Sequence, residues 1–260
     1  MTPEQEIEII QKKKNGFSIK QIMSDYPIKS VKTIYDILKR NGVKKIGNKK
    51  YQVNENFFSV IDTEEKAYWL GFLYADGYVR LKNGRSGQLK LKLSVKDREH
   101  IVIFNKSLSS NYIIKDYTAI VKYGEGRSVS NVSELSIYNT KLVKDLIDKG
   151  CVSNKTFIIR FPSIDKSLQR HFVRGYFDGD GNIYKSKIRK NSYQVSIASN
   201  FNFLSDIKDV ICVGEIYKNG NIHILSFSKI EDVTDFGNYL YDKSTIFLER
   251  KKQIFEKIKK

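Results

Sequence analysis

The chain is poor in cysteine, proline and histidine: two, three and three in 260 residues. Cys151 and Cys212 stand alone and far apart, so neither a disulfide framework nor a cysteine-based zinc site is indicated. His100, His171 and His223 are scattered without metal-ligand spacing. No run of about 18 apolar residues occurs, so no membrane-spanning helix is expected. The start, Met1-Thr2-Pro3-Glu4, is acidic and polar, unlike a signal peptide. These absences fit a reducing compartment, cytoplasmic or organellar, and argue against secretion. Acidic residues are also scarce. Against 46 Lys and Arg there are 29 Asp and Glu, a net charge of +17. The surplus is +6 over 1–56, +6 over 57–164 and +5 over 165–260, so no basic tail accounts for it. Such a balance fits a polyanionic partner, nucleic acid or an anionic membrane surface.

What the chain does have is an internal repeat. Trp69 to Gly77 reads WLGFLYADG and Val173 to Gly181 reads VRGYFDGDG. Both follow the pattern apolar-x-Gly-aromatic-apolar-x-small-Asp-Gly, and Asp180 lies 104 residues after Asp76. A repeat at domain-sized spacing organises everything around it. After the first copy, alternation and turn residues predict strands at 78–81 and 89–95, joined by Asn83-Gly84 and Ser86-Gly87. A helix at 97–108, strands at 112–122 and 129–138, and a helix at 140–149 follow. The second half repeats the order. A helix at 165–178 is followed by strands at 182–188 and 192–199 and a helix at 203–211. A hairpin at 215–228 turns on Asn219-Gly220, with helices at 230–241 and 246–258. Each half, 57–164 and 165–260, is thus αββαββα, an α+β unit with an antiparallel sheet.

Glycine in mid-helix costs about 1 kcal/mol against alanine. Gly71 and Gly175 make sense where another backbone must approach, with small Ala75 and Gly179 one turn further on. The two motif helices are therefore expected to pack together about a pseudo-twofold axis. Gly77 and Gly181 are expected to end them with positive φ. Asp76 and Asp180 would then lie side by side at two helix C-termini, where both dipoles and their mutual repulsion oppose charge. A carboxylate pair placed so suggests a cation site, and hard, oxygen-ligated Mg²⁺ fits. A capped Asp-Gly turn explains an isolated case; the repeat argues for the metal.

Strand alternation sorts the side chains. Leu89, Leu91, Leu93, Val95, Val79 and Leu81 face the helices. Arg80, Lys82, Gln88, Lys90, Lys92 and Ser94 face out. Aligning Ile197 with Val95 turns Ser192, Gln194 and Ser196 outward, and Tyr184 and Ser186 match Arg80 and Lys82. Such faces are candidates for reading base edges in the major groove, or plain solvated sheet. The first half is more basic than the second, so an asymmetric target is expected.

The first 43 residues predict three short helices, at 4–14, 19–24 and from Ser30 to Asn41-Gly42. The stretches 16–22 and 31–35 resemble the helix-turn-helix domains of resolvases and invertases. That resemblance implies that Lys29, Ser30, Lys32, Thr33 and Asp36 meet DNA; a protein-interaction module is the alternative. Residues 44–56 read as a basic linker.

With both motifs in view, residues 57–260 resemble a two-repeat, single-chain LAGLIDADG homing endonuclease. Echoes at Gly150 to Thr156 and Ile246 to Lys252 support this. The resemblance implies a saddle of antiparallel sheets on double-stranded DNA with a long target. It implies two or three divalent ions, Mg²⁺, on Asp76 and Asp180 and the carbonyls of Ala75 and Gly179. One phosphodiester per strand would be hydrolysed, leaving short 3′ overhangs. A basic residue from each half is expected near the scissile phosphate, Lys155 and Lys251, with Arg250 and Lys252 as competitors. Asp97 and Ser199 occupy places where the family orders attacking water; Asp97 reads equally as a helix N-cap. Asp178, facing Tyr74 in the repeat, reads as structural. A monomer serving a mobile element is implied, and the ends lack intein splice-junction residues. An RNA maturase acting on intron RNA and a non-cleaving DNA-binding regulator remain open on the same fold.

Overall fold

The computed structural model describes residues 2–14, 17, 19–28, 30–43, 51–84, 86–123, 126–152, 158–185 and 192–258. The chain divides into two compact units, Met1–Gln52 and Val53–Lys260.

The first unit holds α1 (Pro3–Lys14), α2 (Ile19–Ser24) and α3 (Val31–Arg40). Pro3 opens α1, where its missing N–H has no helical partner to lose. Ser30 caps α3, its hydroxyl accepting the Lys32 N–H at 3.2 Å. Ile34, Ile37 and Leu38 form a helical stripe on α3 and close on Ile9, Ile22 and Ile28. The linker residues 44–50 lie outside the described residues.

The second unit repeats one motif. Its first half is α4 (Glu64–Asp76), β1 (Gly77–Lys82), β2 (Ser86–Ser94), a 3-10 turn (Val95–Asp97), α5 (Arg98–Ser107), β3 (Ile114–Tyr123), β4 (Gly126–Tyr138) and α6 (Thr140–Asp148). Its second half is α7 (Lys166–Asp180), β5 (Asn182–Lys185), β6 (Tyr193–Ser199), α8 (Phe201–Ile211), β7 (Glu215–Asn219), β8 (Ile222–Phe227), α9 (Ile230–Tyr241) and α10 (Glu249–Ile258). Among the described residues the strands form two antiparallel sheets of matching order, β1-β2-β4-β3 and β5-β6-β8-β7. No described helix is long and apolar enough to cross a membrane.

The motif helices are the centre of the core. α4 is buried on every side from Ala67 to Ala75, and α7 from Phe172 to Asp178. A helix apolar all round must be covered all round. Thr63 caps α4 through the Lys66 N–H, with Glu64 and Glu65 in its first turn, where negative charge meets the positive dipole end. The two helices touch at their glycines in a reciprocal pattern. A Cβ on Gly71 would stand 2.0 Å from the Phe172 carbonyl oxygen, and one on Gly175 2.0 Å from that of Tyr68. Since 68 and 172, like 71 and 175, match across the repeat, the contact is pseudo-twofold.

Several expectations need correction. Gly77 and Gly181 do not have positive φ; they leave the helices at φ −74° and −69°. They are glycine for space, because a Cβ would meet the Leu73 carbonyl oxygen at 2.6 Å or the Phe177 ring at 2.1 Å. Ser86-Gly87 is not part of the turn but starts β2, and a Cβ on Gly87 would strike the Asn139 carbonyl at 2.6 Å. Asn83 and Gly84 lie in the turn with φ of 49° and 65°, between the paired Lys82 and Ser86. Val95 is not inward; it sits in the 3-10 turn at 39% exposure. α10 begins at Glu249 rather than 246. Finally, Gly77 pairs with Leu91, while Asn182 pairs with Ser196, which sets Gly181 opposite Ile197. Ile197 therefore matches Leu91, not Val95. A shift of four leaves side-chain parity intact, so alternation alone could not detect it.

Candidate functional site

Chain connectivity builds this site. Asp76 is the last residue of α4 and Asp180 the last of α7; β1 begins at Gly77 and β5 at Asn182. Each carboxylate thus stands, exposed, where a core helix hands over to the first strand of a sheet. The helix contact at Gly71 and Gly175 continues to these ends. A Cβ on Gly179 would lie 2.3 Å from the Ala75 Cβ and 3.2 Å from Asp76 Oδ2. Asp76 therefore reaches across to the residue preceding Asp180. The negative field of both carboxylates acts on Lys251 and Tyr176.

No group of three or more His, Cys, Asp or Glu side chains converges among the described residues. The donor set here is different: two carboxylates from paired helix ends, with the main-chain carbonyls of Ala75 and Gly179 beside them. Oxygen donors of that kind, leaving room for waters, fit a hard divalent cation.

The other candidates separate. Lys251 is not at the surface. It is 4% exposed, and its Nζ donates to the carbonyls of Phe177 and Gly181, both at 2.5 Å, and of Gly179 at 3.3 Å. Burial pulls this ammonium down to about 8, against the opposing pull of Asp178. Its neighbours Arg250 and Lys252 are engaged elsewhere. Arg250 Nε grips both Asp97 oxygens at 3.1 Å, and Lys252 Nζ lies 3.8 Å from the Phe247 ring centroid. Asp97 holds the N-cap position of α5 but makes no capping bond, because Arg250 takes its carboxylate. Ser199 is buried at the end of β6, against the Tyr176 phenol. By register it matches Leu93, so Asp97 and Ser199 are not counterparts. Lys155 lies outside the described residues.

On the sheet faces, Arg80, Lys82, Lys92 and Ser94 are exposed and Gln88 and Lys90 half-buried. Lys90 leans toward Glu134 at 3.8 Å and the Tyr78 ring; Lys92 sits 5.4 Å from the Tyr117 ring. Gln88 donates to the Tyr138 hydroxyl at 3.0 Å, and Ser94 caps the 3-10 turn. In the second sheet Tyr184 donates to Gln194 at 2.5 Å, which donates to Ser226 at 2.9 Å. Ser192 and Ser196 are half-buried beside them, and Ser186 lies outside the described residues. On α3, Lys32, Thr33 and Asp36 are exposed while Ser30 is occupied as a cap; Lys29 lies outside the described residues.

Sequence reasoning missed a buried polar network. Asp178, fully buried, accepts from Tyr68 at 2.8 Å, Tyr241 at 2.6 Å and the Leu248 N–H at 2.7 Å. Burial raises the pKa of this carboxyl, and these three donors pull it back. Tyr68 in turn meets His100 Nε2 at 2.8 Å, and burial lowers that imidazole to about 4, keeping it neutral. Arg174, also fully buried, donates to Ile246 O, Leu240 O and Glu64 Oε1 at 2.9, 2.9 and 2.6 Å. Burial raises the Glu64 carboxyl, but the Thr245 N–H and Arg174 hold it below the usual range. The available signal was a charged residue inside an apolar helical run, as at Arg174 and Asp178.

No protein-family model and no curated protein sequence matches the chain. Solved structures do. The homing endonuclease I-WcaI, bound to its DNA recognition sequence, is 11% identical, covers 74% of this chain and 87% of its own, and superposes with a TM-score of 0.53. The LAGLIDADG homing endonuclease I-GzeII, in complex with DNA target, is 12% identical over 74% of this chain and 88% of its own, at 0.47. Two αββαββα halves joined at their motif helices give this chain the LAGLIDADG fold.

Proposed function

We propose that the protein is a site-specific double-strand DNA endonuclease of the LAGLIDADG homing type. The observation that supports this most is the pairing of Asp76 and Asp180 at two joined helix ends, each opening directly into a sheet. Those sheets present Arg80, Lys82, Lys90 and Lys92 from one half, and Tyr184, Gln194 and Ser196 from the other. Lys and Arg would neutralise phosphates, and the polar groups would meet base edges. Asp76, Asp180 and the carbonyls of Ala75 and Gly179 would hold Mg²⁺. When bound, the metal lowers the pKa of water and stabilises the leaving 3′ oxygen. One acid from each half accounts for one cut per strand, with short 3′ overhangs. The first unit, by its capped, solvent-facing α3, would lengthen the site as a helix-turn-helix.

Incubation with a duplex library and Mg²⁺, alongside Asp76→Asn and Asp180→Asn, tests this. The native chain should cut a small subset of duplexes, and each variant should bind them but lose double-strand cleavage. Binding of DNA without any cut would leave a regulator, and binding of structured RNA alone a maturase. The retained acids speak against the regulator.

A further inference from the structure

The outward face of the second sheet carries an apolar row where the first sheet carries charge. Val195 and Ile197 of β6 and Leu225 and Phe227 of β8 are buried in the core. Alternation therefore turns Ala198 of β6 and Ile224 of β8 to the opposite face. Ala198 pairs with Ile224, and Ile224 pairs with Tyr217 of β7. Directly opposed residues share a face, so the three side chains stand in one line across three strands. Ala198 is exposed, Tyr217 is 47% exposed and Ile224 is half-buried. The core covers one face of β8, yet the strand is apolar on the other face as well. Such a strand reads as one covered on both sides.

Register identifies the matching row in the first half. Gly181 stands opposite Ile197 as Gly77 stands opposite Leu91, so Ala198 corresponds to Lys92. Four residues back along the same strands Gln194 corresponds to Gln88, which supports the match. Lys92 pairs with Glu134, and Glu134 with Lys115. The line Lys92, Glu134, Lys115 of the first sheet is thus Ala198, Ile224, Tyr217 in the second. Every position changes from charged to apolar.

We propose that Ala198, Ile224 and Tyr217 are specificity-determining residues that read the 5-methyl groups of thymines in one arm of the DNA target. The assignment rests on the DNA-binding reading above and adds to it the base chemistry that the second sheet selects. Phosphate oxygens call for donors or cations, which Ala198 and Ile224 do not supply from their side chains. In the major groove the apolar group on a base edge is the thymine methyl. The chain's charge of +17 already attracts a duplex, so an uncharged row adds selectivity rather than attraction. The charged row of the first sheet meets phosphates and polar base edges instead. The two arms of the target therefore differ in the kind of base they offer, with thymines under the second sheet.

The test uses the full chain and measures binding in Ca²⁺, so that no cut is needed. Duplexes are selected from a random library by the native chain. Each thymine of a selected duplex is then replaced singly by uracil, which removes one methyl and nothing else. At two or more thymines of one arm the replacement should weaken binding about fourfold, the worth of one buried methyl. Ile224→Ser and Tyr217→Ser should each bind the thymine and uracil forms alike at a position where the native chain distinguishes them. Ala198→Lys combined with Ile224→Glu, which copies the first row, should select duplexes with fewer thymines on that arm. If Ile224→Ser does not melt cooperatively, Tyr217→Ser carries the comparison. Uracil tolerated at every position of a duplex that the native chain selects overturns the assignment alone. A uracil penalty undiminished in both variants does the same. A concentration-dependent dimer that Ile224→Ser abolishes, with a flat uracil series, also overturns it and places a second copy of the chain on the row. A native chain that selects no duplex defeats the DNA-binding reading, and the assignment with it.

Discussion

At the scale of single residues, the helix contact at Gly71 and Gly175 makes the sharpest demand. Alanine would improve helix propensity by about 1 kcal/mol at either position. The new Cβ would, however, stand 2.0 Å from a carbonyl oxygen of the facing helix, and backbone cannot turn away as a side chain does. The clash should dominate, so Gly71→Ala and Gly175→Ala should each destabilise the second unit by ~3 kcal/mol. Urea denaturation would show it, and a stability gain in either variant would contradict the packing. His100 gives a second test. Burial lowers its imidazole to about 4, and burial followed by Arg174 lowers His171 to about 4 as well. An unfolded histidine titrates near 6.5 and therefore binds protons first as pH falls. Stability is fully present above 6.5 and declines as pH falls from 6.5 toward 4, the buried His100 contributing up to ~3 kcal/mol. Between pH 6.5 and 5 the ordinary carboxylates stay ionised, so a falling denaturation midpoint there reports the histidines. His100→Gln should flatten that slope.

Among the elements, β2 carries the test of the sheet face. Lys92 is exposed, 5.4 Å from the Tyr117 ring and across the strand from Glu134, whereas Lys90 is half-buried and within 3.8 Å of that carboxylate. If this face tracks phosphates, Lys92→Ala and Arg80→Ala should each reduce the slope of log affinity against log salt by about 0.9. Lys90→Ala should reduce it less. Anisotropy titrations on a non-target duplex measure this without knowledge of the site, and unchanged slopes would return the face to plain solvated sheet. The elements themselves were legible because apolar periodicity, the Ser30 cap and the Asn83-Gly84 turn all act locally. The match of Ile197 to Val95 failed because a register shift by an even number preserves every inside–outside assignment. Lys251 was legible as a basic residue of the site but its burial was not, because only the fold brings it to the carbonyls of a helix some seventy residues earlier. Asp97 was legible as a cap position, but its partner Arg250 is a product of tertiary structure.

For the molecule as a whole, the two halves share topology but not reach. In the first sheet β3 and β4 run 10 and 13 residues, while their counterparts β7 and β8 run 5 and 6. At about 3.3 Å per residue, β4 is some 20 Å longer than β8. Along a duplex rising about 3.4 Å per base pair, that is about six further pairs within reach of one sheet. The charge distribution points the same way: outward lysines and Arg80 lie on the first sheet, while the second presents Tyr184, Gln194 and Ser196. If the nuclease reading holds, the protected DNA should extend further from the cuts on the side of the first half. Hydroxyl-radical footprinting in Ca²⁺, with a cleavage reagent tethered at Lys115→Cys to mark that side, would measure both arms. Asn219→Cys, at the end of the short strand β7, marks the other. Base substitutions in the outer part of the longer arm should weaken binding, and those at the same distance on the shorter arm should not. Arms of equal length would mean that the extended β3–β4 hairpin serves something other than the duplex.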